Sequence, residues 1–303
     1  MSRYINPYTD FGFKRLFGEE ASKDLLIDFL NAFLPEKHQV KTLTFRNTEQ
    51  RGEADYHRKA VYDIFCTGEN GEHFIVEMQQ AEQNWFKDRA VFLSSFPIRD
   101  QAVPGKKWDF QLKAVYLIAV LGFEYDKEEE RRKLQRNVTL KDQDGDLFYD
   151  KLQFIFLQMP LFTKTESELK TRKDKWFYFL KNLPDFSDIP SILREPIFEQ
   201  AFAIAEVSKM LPDALRQYEE SLITYWDNQN VLDTAEARGR AEGEARGRAE
   251  GEAKGRAEGE AKGRAEGKAE RDTEIARNLK KKKLPYALIA EATGLSESEI
   301  DRL

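Results

Sequence analysis

Between residues 61 and 79 apolar and polar positions alternate in two arms rich in β-branched and aromatic side chains, flanking Glu69-Asn70-Gly71. Alternation of period two around an Asn-Gly turn predicts a β-hairpin. A three-residue loop with Gly71 in the left-handed conformation sets Gly68 opposite Glu72, and therefore Phe65 opposite Ile75, Asp63 opposite Glu77 and Val61 opposite Gln79. Elsewhere the pattern predicts a helix over 21–34 that stops before Pro35, and strands over 39–46, 59–67 and 72–80. A helix follows from about residue 84 with Trp85, Arg89, Phe92 and Phe96 near one face, then strands over 112–121 and 151–159. The longest apolar run, 114–123, is too short to span a bilayer and reads as a buried central strand. Residues 125–150 read as a charged loop or peripheral insertion, and 164–230 as helical with breaks at Leu183-Pro184 and Ile189-Pro190.

The hairpin also carries candidate chemistry. Directly opposed residues have Cβ atoms about 4.5–5.5 Å apart, and like charges so placed repel. One face would hold Val61, Phe65 and Ile75 beside the two acids, and the other Tyr62, Ile64, Cys66, Phe74, Val76 and Met78. With both faces largely apolar, Asp63 and Glu77 intrude into a buried sheet, where an unpaired charge is costly. A divalent cation would compensate them; Mg²⁺ typically sits on one or two carboxylates plus water and substrate phosphate. The alternative is a sheet with one wet face on which both acids simply lie. A one-residue slip of the hairpin would separate them.

The length of 303 residues suggests one good-sized domain plus something extra. Cys66 is the only cysteine, which excludes a disulfide framework and a Cys-based zinc site. His38, His57 and His73 lack ligand spacing and read as structural or surface residues. No signal-peptide apolar region, Ser-His-Asp arrangement, phosphate-binding Gly loop or dinucleotide fingerprint stands out. The composition is that of a soluble intracellular protein. Net charge is −6, and a nucleic-acid binder usually shows a basic patch. Any such patch must be local, from Lys14 and Arg15, from Arg51, Arg58 and Lys59, or from Lys87 and Arg89, which flank the acid pair in sequence.

From 235 to 272 the unit Ala-Glu-Gly-Glu-Ala-Arg/Lys-Gly-Arg repeats, starting at Ala241, Ala249 and Ala257, with ten basic and ten acidic residues. Each Glu in these units stands four residues before a base, as Glu242 before Arg246, the favourable helical orientation. Gly recurs every fourth residue from Gly239 to Gly267, and eight glycines cost about 0.8–1 kcal/mol each relative to Ala. Each ion pair returns only roughly 0.2–0.5 kcal/mol. The segment has no apolar seam, so it reads as a flexible or partly helical spacer, with a close-packed helix pair as the alternative. The tail holds Ile275, Leu279, Leu284, Leu288, Ile289, Leu295 and Ile300, helix-turn-helix spacing at Ala290, Gly294 and Ile300, and a capping box at Ser296 and Glu299. A helix starting at Ser296 is short for the major groove, which favours docking or homo-oligomerisation through this module over DNA reading.

An aspartate on one strand followed by Glu-X-Lys or a variant on the next resembles the core of PD-(D/E)XK nucleases. The stretch Asn6-Pro-Tyr-Thr-Asp10-Phe11-Gly-Phe13-Lys14-Arg-Leu-Phe17-Gly, followed by Leu25-Leu-Ile-Asp-Phe29-Leu-Asn31-Ala-Phe-Leu34, resembles the Rpn family of recombination-promoting nucleases, long labelled transposases. The resemblance implies an α/β restriction-endonuclease-like core over 1–163 with one sheet face left for DNA, and a helical extension over 164–234. A repeat spacer over 235–272 and a small helical module over 273–303 would complete the repetitive charged tail. It further implies a Mg²⁺-dependent DNA endonuclease of the bacterial cytosol, acting in recombination or against invading DNA. Asp63, Glu77 and the main-chain carbonyl of Met78 would be metal ligands, and Lys14, Arg15, Arg58, Lys59, Lys87 and Arg89 DNA contacts. Gln79 stands where the superfamily has Lys; it can hydrogen-bond the attacking water but brings no charge to the transition state. Asp10 is either the acid of the first helix or that helix's N-cap. The rival class is a nuclease-derived interaction protein with a weak site, assembled through its tail.

Overall fold

The computed structural model describes residues 2–50, 59–102, 109–125, 128 and 132–303. The chain forms two compact units, Met1–Gln229 and Asn230–Leu303. The first unit begins with α1 (Asp10–Phe17), α2 (Lys23–Phe33), β1 (Leu43–Phe45), β2 (Glu49–Gln50), β3 (Ala60–Val61), β4 (Ile64–Gly68) and β5 (His73–Gln79). It continues through α3 (Phe86–Arg99), β6 (Val115–Leu121), β7 (Gln135–Lys141), β8 (Leu147–Gln158), α4 (Arg172–Asn182), α5 (Pro196–Ala205) and the start of α6 (Pro212–Lys281).

Among the described residues six strands form one mixed sheet in the order β1-β4-β5-β6-β8-β7. The wholly apolar β6 lies at its centre, parallel to β5 and β8 and buried along its full length, as an uninterrupted apolar strand requires. Gly71, at φ 87°, closes the β4–β5 hairpin, and Phe65 pairs with Ile75. Side chains alternate between two apolar clusters. Ile64, Cys66, Phe74, Val76, Ile118 and Ile155 meet α1, α2, α4 and α5, whereas Phe65, Ile75, Leu117 and Phe156 meet α3. Helices cover both faces, so the expectation of one sheet face left open for DNA is corrected: apolar strands on both sides demand cover.

Residues 125–150 are not only a loop. They supply β7 and the start of β8, an antiparallel pair turning at Gly145 with φ 90°. Its outer positions, such as Asn137 and Lys141, are polar and exposed, which hides the alternation. Nor is 164–234 a separate extension. Trp176, Phe179, Phe198 and Phe202 belong to the same buried cluster as Phe17 and Phe29. The Trp176 ring lies 5.7 Å from that of Phe17 and 4.8 Å from that of Phe198, and its Nε1–H donates to Asp28 Oδ1 at 2.7 Å.

In the second unit the repeat is helical throughout, because α6 continues to Lys281. The expectation of a flexible or only partly helical segment is thereby corrected, and every residue from 230 to 271 is exposed. Ala, Glu, Arg and Lys, which fill the positions between glycines, are among the best helix formers. The ion pairs differ from those expected: Arg238–Glu242 at 2.8 Å and Arg256–Glu260 at 3.1 Å place the base first. Exposed pairs of this kind contribute little, so the glycine cost stands. Nothing lies within 4 Å of a Cβ built on Gly251. Gly251→Ala should therefore stabilise this helix by about 0.8–1 kcal/mol, read as slower amide exchange in the full-length protein. Faster exchange would contradict this account. The unit ends with α7 (Tyr286–Thr293) and α8 (Glu297–Arg302), where Ala276, Ile289 and Ile300 are buried together. Gly294 ends α7 at φ 72°, and the Ser296/Glu299 capping box opens α8. Among the described residues no helix is long and apolar enough to cross a membrane.

Candidate active site

The arm leading into β4 is broken just before the acid. Tyr62 N–H donates to Thr48 O at 3.0 Å, and Val61 pairs with Glu49 in a separate two-stranded sheet. The expected opposition of Val61 and Gln79 is therefore not formed. The bend at Asp63 also reverses the alternation: Tyr62 joins Phe65 against α3, and its hydroxyl donates to Leu93 O at 3.1 Å. Asp63 nevertheless meets Glu77. Its N–H donates to Glu77 Oε1 at 3.2 Å, and its Oδ2 accepts from Met78 N–H at 2.7 Å.

The ladder leaves a carbonyl beside this pair. In an antiparallel pair hydrogen-bonded and non-bonded residue pairs alternate. Gly68 N–H donates to Glu72 O, which makes 64 and 76 a bonded pair and 62 and 78 the next. Tyr62 N–H turns away to Thr48 and Met78 N–H goes to the Asp63 carboxylate, so the Met78 carbonyl faces the Asp63 side without its ladder donor. Ala119 stands beside Glu77 on β6. Its small side chain helps leave a cavity of about 10 Å³ lined by Glu77, Gln79, Phe86, Arg89, Ala90, Leu93, Leu117 and Ala119, room for about one water.

Glu77 is 2 % exposed. Burial first, then repulsion from Asp63, pushes its carboxyl up to about 8, against the relief supplied by Asp63 N–H, Arg89 and Gln79. Burial likewise raises Asp63, with the Met78 N–H opposing; Asp10 adds repulsion while Lys14 and Arg89 relieve it. The Arg89 guanidinium lies 3.9 Å from Glu77 Oε2, and Gln79 Nε2 donates to the same oxygen at 3.2 Å.

The first turn of α1 completes the surroundings. Thr9, not Asp10, is the N-cap: its hydroxyl accepts from Gly12 N–H at 3.0 Å. Asp10 is thereby left in the first turn, paired to Lys14 at 2.8 Å. A Cβ on Gly12 would lie 2.2 Å from Asn6 O, which explains the glycine in this motif. The other predicted DNA contacts are dispersed. Arg15 turns to Glu19 at 3.6 Å, Lys87 sits over the Tyr125 ring at 5.3 Å, and Lys59 is exposed just before β3. Arg58, with Arg51 and His57, lies outside the described residues. Arg89 and Lys14 thus act as counter-charges to the acids, a role the spacing did not indicate. The available signal was Thr9, a cap-forming residue directly before Asp10.

Hard oxygen donors fit a divalent cation: two carboxylates with raised affinity for positive charge and one carbonyl off the ladder. Among the described residues no three His, Cys, Asp or Glu side chains converge, so the carbonyl and water would have to complete such a site. A mixed sheet with an acid at a strand entry facing an acid on the next strand defines a nuclease core of the PD-(D/E)XK class. Residues 7–235 match the model of the PD-(D/E)XK nuclease family transposases, and the chain belongs to that family. Neither a curated protein nor a solved structure is found to match it.

Proposed function

We propose that this protein is a metal-dependent DNA endonuclease acting in recombination or against invading DNA. The observation that carries the reading is the buried opposition of Asp63 and Glu77, a repulsive arrangement that a hydrophobic core does not need. Asp63, Glu77 and the Met78 carbonyl would hold the cation, Mg²⁺ or another divalent ion. When bound, such an ion supplies Lewis acidity and lowers the pKa of coordinated water.

The remaining work falls to the chain's own groups. The Gln79 amide, held on Glu77, can accept or donate a hydrogen bond to the attacking water in the adjoining cavity. Positive charge that a lysine at position 79 would bring comes instead from Arg89 and Lys14, which face the acids from α3 and α1. These cations would stabilise charge developing on a phosphodiester oxygen. Asp10 would act as an outer acid by fixing Lys14.

Gln79→Lys tests this division of labour. With Arg89 and Lys14 already present, an added cation should change Mg²⁺-dependent plasmid nicking by less than about 10-fold, whereas Arg89→Ala should lower it by about 100-fold. A large gain on Gln79→Lys, with Arg89→Ala silent, would place the missing charge at 79 instead. Nicking that proceeds equally in EDTA would remove the metal-dependent reading.

A further inference from the structure

We propose that Trp85 and Phe92 are stacking platforms for the bases of an unpaired DNA strand whose phosphates pass Arg89 on the way to Glu77. The inference rests on the nuclease reading and deepens it by naming the form of the substrate.

Trp85 immediately precedes α3 and adopts φ 67° and ψ 27°, a left-handed conformation that is strained for a bulky residue. Its carbonyl accepts from Arg89 N–H at 2.9 Å, so the strained residue is part of the first helical turn. The indole is 79 % exposed, and its side chain makes no cap hydrogen bond. Neither packing nor capping accounts for a tryptophan here. Strain held at an exposed aromatic beside a charged pocket is characteristic of functional surfaces.

Positions i, i+4 and i+7 of a helix share a face. Counted from Trp85, the left-handed N-cap residue just before α3, Arg89 and Phe92 are the helical residues at those spacings, with Phe92 42 % exposed and the Arg89 side chain 47 % exposed. Phe96, expected on the same face, turns inward and is buried, its ring 5.1 Å from that of Phe92 and inclined at 80°. The Phe92 ring is thus supported from beneath while its outer side meets solvent. The stripe reads aromatic, basic, aromatic, and its central guanidinium lies 3.9 Å from Glu77.

This is the chemistry of single-strand recognition, in which bases lie on aromatic faces and phosphates on intervening cations. A paired duplex keeps its base faces covered by neighbouring bases, so it cannot use two outward rings. A strand that is unpaired at the cut can use both. Arg89 between the rings favours a nucleic acid over an apolar protein surface, which would leave that charge buried against it.

The test uses the full-length chain carrying Glu77→Gln, in EDTA, so that binding is read without cleavage. Fluorescence anisotropy is measured with one labelled sequence as single strand, as full duplex and as duplex with an unpaired central gap. The single strand and gapped duplex should bind more tightly than the full duplex. Trp85→Ala and Phe92→Ala should each weaken binding to the unpaired forms by about 10-fold, with duplex affinity nearly unchanged and Phe92→Trp retaining the affinity. Trp85→Gly should weaken binding equally while the melting temperature stays level or rises, since a scaffold residue would lower it. Unpaired-strand affinity unchanged in both alanine variants overturns the platforms and leaves the nuclease reading intact. Absence of binding to all three DNAs by the Glu77→Gln protein overturns both.

Discussion

Asp63→Asn and Glu77→Gln should each reduce Mg²⁺-dependent DNA cleavage by about 100- to 1000-fold or more while making the metal-free protein more stable. The two effects have one cause. Glu77 is buried against Asp63, and its carboxyl is raised from an ordinary 4.5 to about 8. The native state therefore holds this proton more tightly than the unfolded chain does. Stability contributed by the protonated form is complete below the ordinary carboxylate value and is lost as pH rises through the native one. The parent's melting temperature should accordingly fall between about pH 4 and 9, the interval that spans both values.

Glu77→Gln removes this titration. Its melting temperature should be flatter with pH and should exceed the parent's most at the alkaline end, by about 2–4 °C for each kcal/mol relieved. Adding Mg²⁺ should stabilise the parent and not the variant, because only a native-state ligand shifts the unfolding equilibrium. Scanning calorimetry at three pH values, with and without Mg²⁺, separates these terms. Retained cleavage in both variants, or a parent stability that rises towards pH 9, would sink the assignment.

Trp176→Ala should cost about 3–5 kcal/mol, the range for emptying a large aromatic site in a packed core. The residue is fully buried, and its ring touches Phe17 of α1, Phe29 of α2 and Phe198 of α5. Removing the indole N–H also costs Asp28 Oδ1 its 2.7 Å hydrogen bond and leaves it with the Arg172 guanidinium at 3.4 Å. A chain ended at residue 163 should fail to fold for the same reason, since it exposes the α1–α2 side of the cluster. Urea denaturation of the point variant and the near-ultraviolet circular dichroism of the truncated chain provide the readouts. A folded 1–163 fragment would restore the boundary that the sequence pattern suggested.

The acid pair was legible because it depends on local information alone. Period-two alternation and the Asn-Gly turn specify the pairing of Phe65 with Ile75, and continuing just past the last ladder pair, Ile64 with Val76, brings Asp63 to Glu77. The central strand β6 was equally legible, since an unbroken apolar run of that length has few other places to go. The helical repeat was misread because propensities for Gly and for Ala, Glu and Arg oppose each other nearly evenly, and small sums decide the outcome.

What sequence by itself determined was thus the hairpin register next to the turn, the buried central strand and the chemical identity of the acids. Tertiary structure alone decided the break at Tyr62, which frees the Met78 carbonyl, and the arrival of Lys14 from α1 and Arg89 from α3 beside the acids. It also decided that α4 and α5 share one core with α1 and α2. The physical reason is range. Alternation and turn chemistry act between neighbours in the chain, whereas burial of apolar surface and long-range electrostatics act between segments that only the folded sheet brings together.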